Sequence, residues 1–173
     1  FAMGLKPAQE RAATLDLHKK ILSVLELYQE GMSEEEVDQV FSSSVKEAVL
    51  DRKGLIIEGV DFKSIPEAER CKVLSMDWDS NPADCKLSVY QKLVGDKISA
   101  IAIPLVGKGL WSTLYGYLAL SPDATTVTGI TFYKHGETPG LGAEISESWF
   151  QKNFLGKKIL DPEGGVYGIV VSK

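Results

Sequence analysis

Apolar residues in the N-terminal part of the chain recur at helical spacing. One set keeps to a single helical face, with Arg and Lys elsewhere around the wheel: Ala8, Ala12, Leu15, Leu22 and Leu25. Pro7 suits a first helical turn, where its missing N–H removes no hydrogen bond. The pattern predicts a helix from about Ala8 to Leu27, ended by Gly31.

A second helix is predicted to follow. Ser33 and Glu36 have the spacing of a capping box, in which the hydroxyl and the carboxylate each accept a backbone N–H of the first turn. An apolar stripe continues the helical period beyond them: Val37, Val40, Phe41, Val45, Ala48 and Val49. Lys53-Gly54 is the predicted end. Beyond it, Leu55–Val60 fits a short strand, and residues 61–86 fit loops and short helix.

From Lys86 the period changes to two. Leu87, Val89 and Leu93 alternate with more polar neighbours, and later apolar stretches are separated by turn sequences. The predicted returning strands are Ile98–Val106, Trp111–Leu120 and Thr125–Tyr133, and the breaks are Gly95-Asp96-Lys97, Gly107-Lys108-Gly109 and Ser121-Pro122-Asp123. The pattern therefore predicts two hairpins in series, an antiparallel meander.

After the meander comes a glycine-rich loop, Gly136–Gly142. Ala143–Phe154 then predicts a helix that buries four apolar side chains: Ile145, Trp149, Phe150 and Phe154. Residues 157–160 and 166–172 are further candidate strands. Helices come first, then strands, then a helix and strands, which predicts an α+β fold with a mainly antiparallel sheet.

Composition limits the possible functions. The 173 residues fit one domain, with or without an appended helical arm. The chain has 19 basic and 24 acidic side chains, a net charge of -5, which argues against a generic phosphate-backbone binder. No apolar run approaches the ~18 residues of a membrane span. Residues 1–4 look like a cloning remnant, so we expect a natural segment upstream, either a signal peptide or a membrane anchor.

The two cysteines leave two readings open. Cys71 and Cys85 are 14 positions apart. The lack of a compartment signal favours two unpaired, partly buried thiols. The alternative is one disulfide in an oxidising compartment, which would contribute roughly 3 kcal/mol in the chain-entropy model.

Common catalytic motifs do not occur. The sequence has no dinucleotide fingerprint, no phosphate loop and no nucleophile elbow. Two cysteines cannot make a four-ligand zinc site by themselves. We interpret His18 as a solvated side chain, and His135 beside Glu137 as a pair that shapes a turn rather than an acid–base pair.

The segment His135–Glu144 is the most informative one. It reads His-Gly-Glu-Thr-Pro-Gly-Leu-Gly-Ala-Glu, and its glycines permit positive φ or close backbone approach. Pro139-Gly140 suits the centre of a type II turn. The loop N–H groups and the following helix N-terminus favour an anion or an electron-rich edge. The alternative is a tight connection that packs against the sheet without a ligand.

Together with Gly107–Leu120, which begins Gly-Lys-Gly-Leu-Trp-Ser-Thr, this segment closely resembles NqrC, a component of the bacterial sodium-translocating NADH:quinone oxidoreductase. Trp149-Phe150-Gln151, residues 154–159 and Leu5–Glu10 extend the resemblance. It is dense over about residues 95–160 and at the N-terminus, and weak over 50–90. The Glu-Thr-Pro-Gly-Leu-Gly motif is shared with the related Rnf electron-transport flavoprotein RnfG, whereas Gly-Leu-Trp-Ser favours NqrC.

The resemblance implies an FMN-binding domain on the periplasmic side of the cytoplasmic membrane, anchored by a removed N-terminal helix. It implies electron relay among the subunits of a complex that couples NADH oxidation and quinone reduction to sodium export. The chain alone is not expected to turn over NADH. In that family a threonine of an S-G-A-T type motif holds FMN through a phosphoester. Because the 173 residues contain no such motif, we expect this chain alone to lack covalent FMN.

The resemblance also suggests the residues that contact the cofactor: Trp111, Glu137, Thr138, Gly140, Leu141, Gly142 and Lys173. Trp111 would pack against the flavin ring and Lys173 would lie near the phosphate. No catalytic residue and no metal is required, because the cofactor supplies the chemistry. The expected organisation is a helical arm over residues 5–54 and an FMN-binding-type domain over 55–173. The alternatives are an RnfG-type electron-transfer flavoprotein and an extracytoplasmic binding or scaffold domain without a redox role.

Overall fold

The computed structural model describes residues 5–71, 81–161 and 163–166, with the side chains of residues 5 and 6 left aside. The four residues interpreted as a remnant, Lys173 and most of the candidate strand 166–172 lie outside this part. Among the described residues, no helix has the length and apolar character needed to cross a membrane.

The first helix, α1, spans Leu5–Val24, so it ends three residues before the prediction. Glu26 adopts a positive φ of 56°, and the N–H of Leu27 donates to the carbonyl of Leu22 at 2.8 Å. These contacts form a Schellman motif, which closes a helix from outside its last turn. Gly31, the predicted stop, lies in the following turn.

The second helix, α2, spans Glu34–Ser44 and begins with the predicted capping box. Its predicted continuation through Val49 is wrong, because Val45–Asp51 is a strand, β1. Val45, Ala48 and Val49 are buried in the strand, and their spacing also suits one helix face, so the apolar pattern could not distinguish a strand from a helix. The three serines at 42–44, poor helix formers, mark the boundary.

The sheet is a five-stranded antiparallel meander in the order β1-β2-β3-β4-β5. The later strands are β2 (Lys86–Val94), β3 (Lys97–Lys108), β4 (Thr113–Leu120) and β5 (Val127–Lys134). The predicted hairpins are therefore confirmed, with β3 two residues longer at its end than predicted. The α+β class is confirmed as well.

Both helices pack on one face of this sheet. The buried core includes Ile21 and Leu22 of α1, Val37 of α2 and Tyr90 of β2. Registered positions across β3, β4 and β5 are small, namely Ala102, Ala119 and Gly129. A Cβ on Gly129 would lie 2.3 Å from the carbonyl oxygen of Val24, so the end of α1 touches the sheet backbone there. Lys92 Nζ donates to the carbonyl of Leu25 at 2.8 Å.

An ion-pair cluster joins α1 to α2. Asp38 lies 2.5 Å from the Arg11 guanidinium and 2.8 Å from Nδ1 of His18. The His18 ring stacks on Phe41 with centroids 3.8 Å apart. The expectation of a solvated His18 is therefore wrong. The hydrogen bond from His18 and then that from Arg11 lower the pKa of the Asp38 carboxyl.

The stretch between β1 and β2 contains two short 3₁₀ turns, Phe62–Ser64 and Glu67–Glu69. The predicted strand over Leu55–Val60 is reduced to a single bridge between Leu50 and Ile56. Cys71 and Cys85 form a disulfide with Cα atoms 4.9 Å apart, so the reading as unpaired thiols is wrong.

The predicted helix Ala143–Phe154 is also wrong as one element. It divides into a 3₁₀ turn Gly142–Ser146, one α-turn α3 Ser148–Gln151, and a 3₁₀ turn Lys152–Phe154. Trp149, predicted to be buried, is 58% exposed. Residues 157–159 run beside the start of β5 through one bridge, Thr126 to Lys158, instead of a full strand.

Candidate functional site

Two loops meet at one edge of the sheet. β3 ends at Lys108, paired with Thr113 at the start of β4, and β5 ends at Lys134, paired with Tyr115. Since adjacent strands are antiparallel, the turn after β3 and the loop after β5 leave the same edge. We call them the 109–112 turn and the 135–142 loop.

The Glu137 carboxylate joins these two segments. Its Oε1 accepts the N–H groups of Trp111 at 3.1 Å and Ser112 at 3.0 Å, and the Ser112 hydroxyl at 2.9 Å. The same hydroxyl oxygen accepts the Gly136 N–H at 2.7 Å. We call these residues, Glu137, Trp111, Ser112 and Gly136, the Glu137 cluster.

Glu137 is 8% exposed, one of the few buried polar residues described. Burial by itself raises the pKa of the Glu137 carboxyl. The hydrogen bond from the Ser112 hydroxyl and those from the backbone N–H groups of Trp111, Ser112 and Leu110 outweigh it, so the pKa lies below its ordinary value. The carboxylate is therefore ionised at neutral pH and satisfied by the turn.

Two glycines permit this close packing. A Cβ on Gly109 would lie 2.4 Å from Oε1 of Glu137, and a Cβ on Gly142 would lie 2.9 Å from Oε2. Neither glycine has a positive φ, so each is needed for space rather than for backbone conformation. Gly142 was predicted to permit an unusual backbone conformation, whereas here it makes room for the Glu137 carboxylate.

The predicted turn at Pro139-Gly140 is present. Gly140 has φ 72°, and the Leu141 N–H donates to the Thr138 carbonyl at 3.1 Å. A positive φ at the second central position with this hydrogen bond is typical of a type II turn. The turn leaves Thr138 exposed and Leu141 72% exposed. The long helix expected to follow is absent, so its N-terminal dipole does not contribute here.

His135 supports the loop from the other side. Its Nδ1 accepts the Glu137 N–H at 3.3 Å, and its Nε2 lies 2.8 Å from the Ser146 hydroxyl. His135 and the Glu137 carboxylate face different partners. The interpretation of the pair as shaping a turn therefore agrees with these contacts.

Three large apolar side chains of the two segments are exposed. Leu110 is 81% exposed, Trp111 73% and Leu141 72%. We call these three side chains the apolar surface. Large apolar side chains exposed together in neighbouring loops make a candidate binding surface. An indole and two leucines fit a planar aromatic ligand, which gains from stacking and from apolar burial.

The structure thus brings together six of the seven predicted cofactor residues, and Lys173 lies outside the described part. Sequence reasoning missed Ser112, which holds both segments, and Leu110, the most exposed of the large apolar residues. Both belong to the Gly-Leu-Trp-Ser segment, which was a usable signal. No group of three or more His, Cys, Asp or Glu residues within the described ranges could hold a metal ion.

Comparisons with known proteins place the same region in a family. The model of the FMN-binding domain matches residues 109–169, which includes both the 109–112 turn and the 135–142 loop. A relative from Yersinia pestis, the NqrC component of the Na(+)-translocating NADH-quinone reductase, is 33% identical over 94% of this chain. The chain spans 65% of that relative's length.

A second relative of the same name, from Pasteurella multocida, is 32% identical over 99% of this chain and 69% of its own length. Among solved structures, NqrC from Parabacteroides distasonis superposes with a TM-score of 0.75 at 27% identity. That match covers 98% of this chain and 77% of the solved one.

Proposed function

The chain belongs to the NqrC family of the Na(+)-translocating NADH-quinone reductase, and we propose from this membership that it carries FMN at the apolar surface and passes electrons between other subunits of such a complex. The observation that carries the proposal is the exposure of Leu110, Trp111 and Leu141 within the region that matches the FMN-binding domain. The names of the relatives favour NqrC over the related RnfG.

The apolar surface and the type II turn would hold the cofactor. Trp111 and Leu141 offer an indole face and an aliphatic side chain to the ring, and the exposed Thr138 offers a hydroxyl. Gly140 and Gly142 have no side chains, so the loop backbone beside these three residues would stay accessible to the cofactor. Bound FMN would supply single-electron transfer, while the protein contacts set its position and exclude water from one face.

Covalent attachment is part of the proposal. The S-G-A-T type acceptor does not occur in the 173 residues, so attachment would use a threonine outside them. The chain spans 65% of the length of the Yersinia relative, which is consistent with this. Lys173 near the phosphate and a domain beginning near residue 55 remain predictions.

A periplasmic location is proposed on the disulfide. The bond between Cys71 and Cys85 is a feature of proteins that fold in oxidising compartments and is rare in reducing ones. Membrane attachment would come from a helix preceding these residues, and the partners would be the other subunits of the complex.

The test is the full-length gene, expressed in a host that attaches FMN. We expect a flavin absorbance band, an intact mass increased by one FMN, and flavin fluorescence that rises in Trp111→Ala because an adjacent indole quenches it. The stacking contribution of such a ring is about 0.5–1.5 kcal/mol. Val94→Ala is the control, since Val94 is 64% exposed at the hairpin before β3. A full-length protein without flavin would support the scaffold alternative instead.

A further inference from the structure

The apolar side chains of the 109–112 turn do not fix its position. Leu110 and Trp111 are mostly exposed, so their apolar groups gain little from packing in the free protein. One backbone hydrogen bond closes the turn: the Gly109 N–H donates to the Ser112 carbonyl at 2.8 Å. The remaining contacts described for its N–H groups lead to Glu137.

A charged acceptor from the 135–142 loop satisfies the turn. The N–H groups of Trp111 and Ser112 converge on one oxygen, together with the Ser112 hydroxyl. Consecutive N–H groups of this kind form a nest that favours an anion, and Glu137 fills it from a loop 25 or more residues away. An apolar side chain at position 137, which is 8% exposed, would remove the protein acceptor that these donors share.

We propose that Glu137 is the positioning residue of this site: its carboxylate ties the 109–112 turn to the 135–142 loop and so assembles Leu110, Trp111 and Leu141 into one surface before the cofactor arrives. The inference rests on the proposed function for the identity of the ligand. The geometry within the protein does not depend on it. It also accounts for Gly109 and Gly142, whose missing Cβ atoms make room for the carboxylate.

The first measurement needs no flavin. Amide hydrogen exchange of the 173-residue chain is followed by NMR for wild type and Glu137→Gln. The Trp111 and Ser112 amides are expected to exchange about tenfold faster or more in the variant, because bonds to an ionised acceptor are the stronger ones. Glu147→Gln is the matched control: Glu147 is an exposed glutamate of the same connection. Unchanged exchange at both amides in Glu137→Gln overturns the proposal.

Ser112→Ala provides a second variant that keeps the carboxylate. It removes the hydroxyl that donates to Glu137 and accepts from Gly136. If the cluster acts as a unit, the combined variant exchanges little faster than Glu137→Gln alone, whereas independent effects multiply. If the increases in exchange rate of the two single variants multiply in the combined variant, the cluster does not act as a unit. This readout holds even where one variant is less stable, because exchange elsewhere in the sheet reports global opening.

The third measurement uses the full-length, flavin-carrying protein. Collisional quenching of the flavin by iodide is expected to rise in Glu137→Gln and to recover in part in Glu137→Asp, which restores the charge with a shorter reach. Quenching equal to wild type in both variants overturns the positioning role. A wild type that carries no flavin refutes the proposed function and the flavin-directed role with it, while the exchange data still decide whether Glu137 orders the turn.

Discussion

Tyr90 and Tyr117 place two phenols inside the core. Their rings pack edge to face with centroids 6.2 Å apart, and Tyr117 stacks on Tyr133 at 5.4 Å. Phe41 extends the row from α2, and Lys20 of α1 lies over the Tyr133 ring. The row lies between the helices and the sheet, so the environment of these side chains depends on the packing of the helices against the sheet.

Burial, and next the nearby Glu47 charge, raise the pKa of Tyr90 to about 12. The unfolded chain releases that proton near the ordinary value of about 10, so the native state holds more protons between these values. The contribution to stability is therefore complete below pH 10 and is lost as the pH rises through the folded pKa. The loss in the free energy of unfolding amounts to roughly 2–3 kcal/mol once the pH has passed the folded pKa.

We expect the free energy of unfolding of wild type to fall between pH 10 and 12, and Tyr90→Phe to fall less steeply. Urea unfolding at several pH values measures both slopes. Tyr115→Phe, outside the buried row, is the comparison variant. Equal slopes for wild type and Tyr90→Phe would rule out this assignment.

The docking of α1 depends on small residues at registered positions of three strands. The small side chains form a shallow groove across the sheet at Ala102, Ala119 and Gly129, and the end of α1 contacts this groove at Val24. A larger side chain in this groove would occupy the space of the helix end, so α1 would have to shift. Lys92 adds a cation at the C-terminal end of α1, where the helix dipole favours one.

Gly129→Ala is expected to destabilise the protein by about 1–3 kcal/mol, the usual effect of overpacking. The added methyl would meet the Val24 carbonyl at 2.3 Å. Gly107→Ala is the matched control, because Gly107 is also a strand glycine and has nothing within 4 Å of a built Cβ. Chemical unfolding measures the difference, and an equal effect at both glycines would contradict the packing argument.

At the level of elements, the sequence predicted the meander but not every boundary. The alternation from Leu87 onward has one structural interpretation, since a period of two belongs to strands. The stretch Val45–Val49 has two, because its apolar positions suit a helix face and also a strand buried on both sides. Pairing with β2 decides between them, and no local pattern contains that contact.

The disulfide acts on the whole chain. Cys71 and Cys85 close a loop that joins the segment after β1 to the start of β2. Replacing both cysteines by alanine is expected to lower the free energy of unfolding by roughly 3 kcal/mol in the chain-entropy model. Urea unfolding of the variant and of wild type with and without reductant measures it. Reduced wild type should match the variant, and a variant as stable as oxidised wild type would contradict the expectation.

The candidate site was predictable in part, because local sequence patterns are readable whereas contacts between distant residues are not. Its two segments contain the glycines, the proline and the exposed tryptophan that a binding loop needs, so their residues could be named. The contact of Glu137 with Ser112 could not be named, because it joins residues distant in sequence and requires the meander to close first. The division of the predicted helix Ala143–Phe154 likewise depends on packing against β5.

The contact between Val24 and Gly129 has a consequence for folding during translation. The helix that ends at Val24 is synthesised well before β5, the strand it rests on. Until β5 emerges and pairs, the end of α1 lacks the sheet backbone at Gly129 that it touches in the folded protein. The nascent chain therefore carries an incompletely covered apolar helix until the hairpin of β4 and β5 is complete.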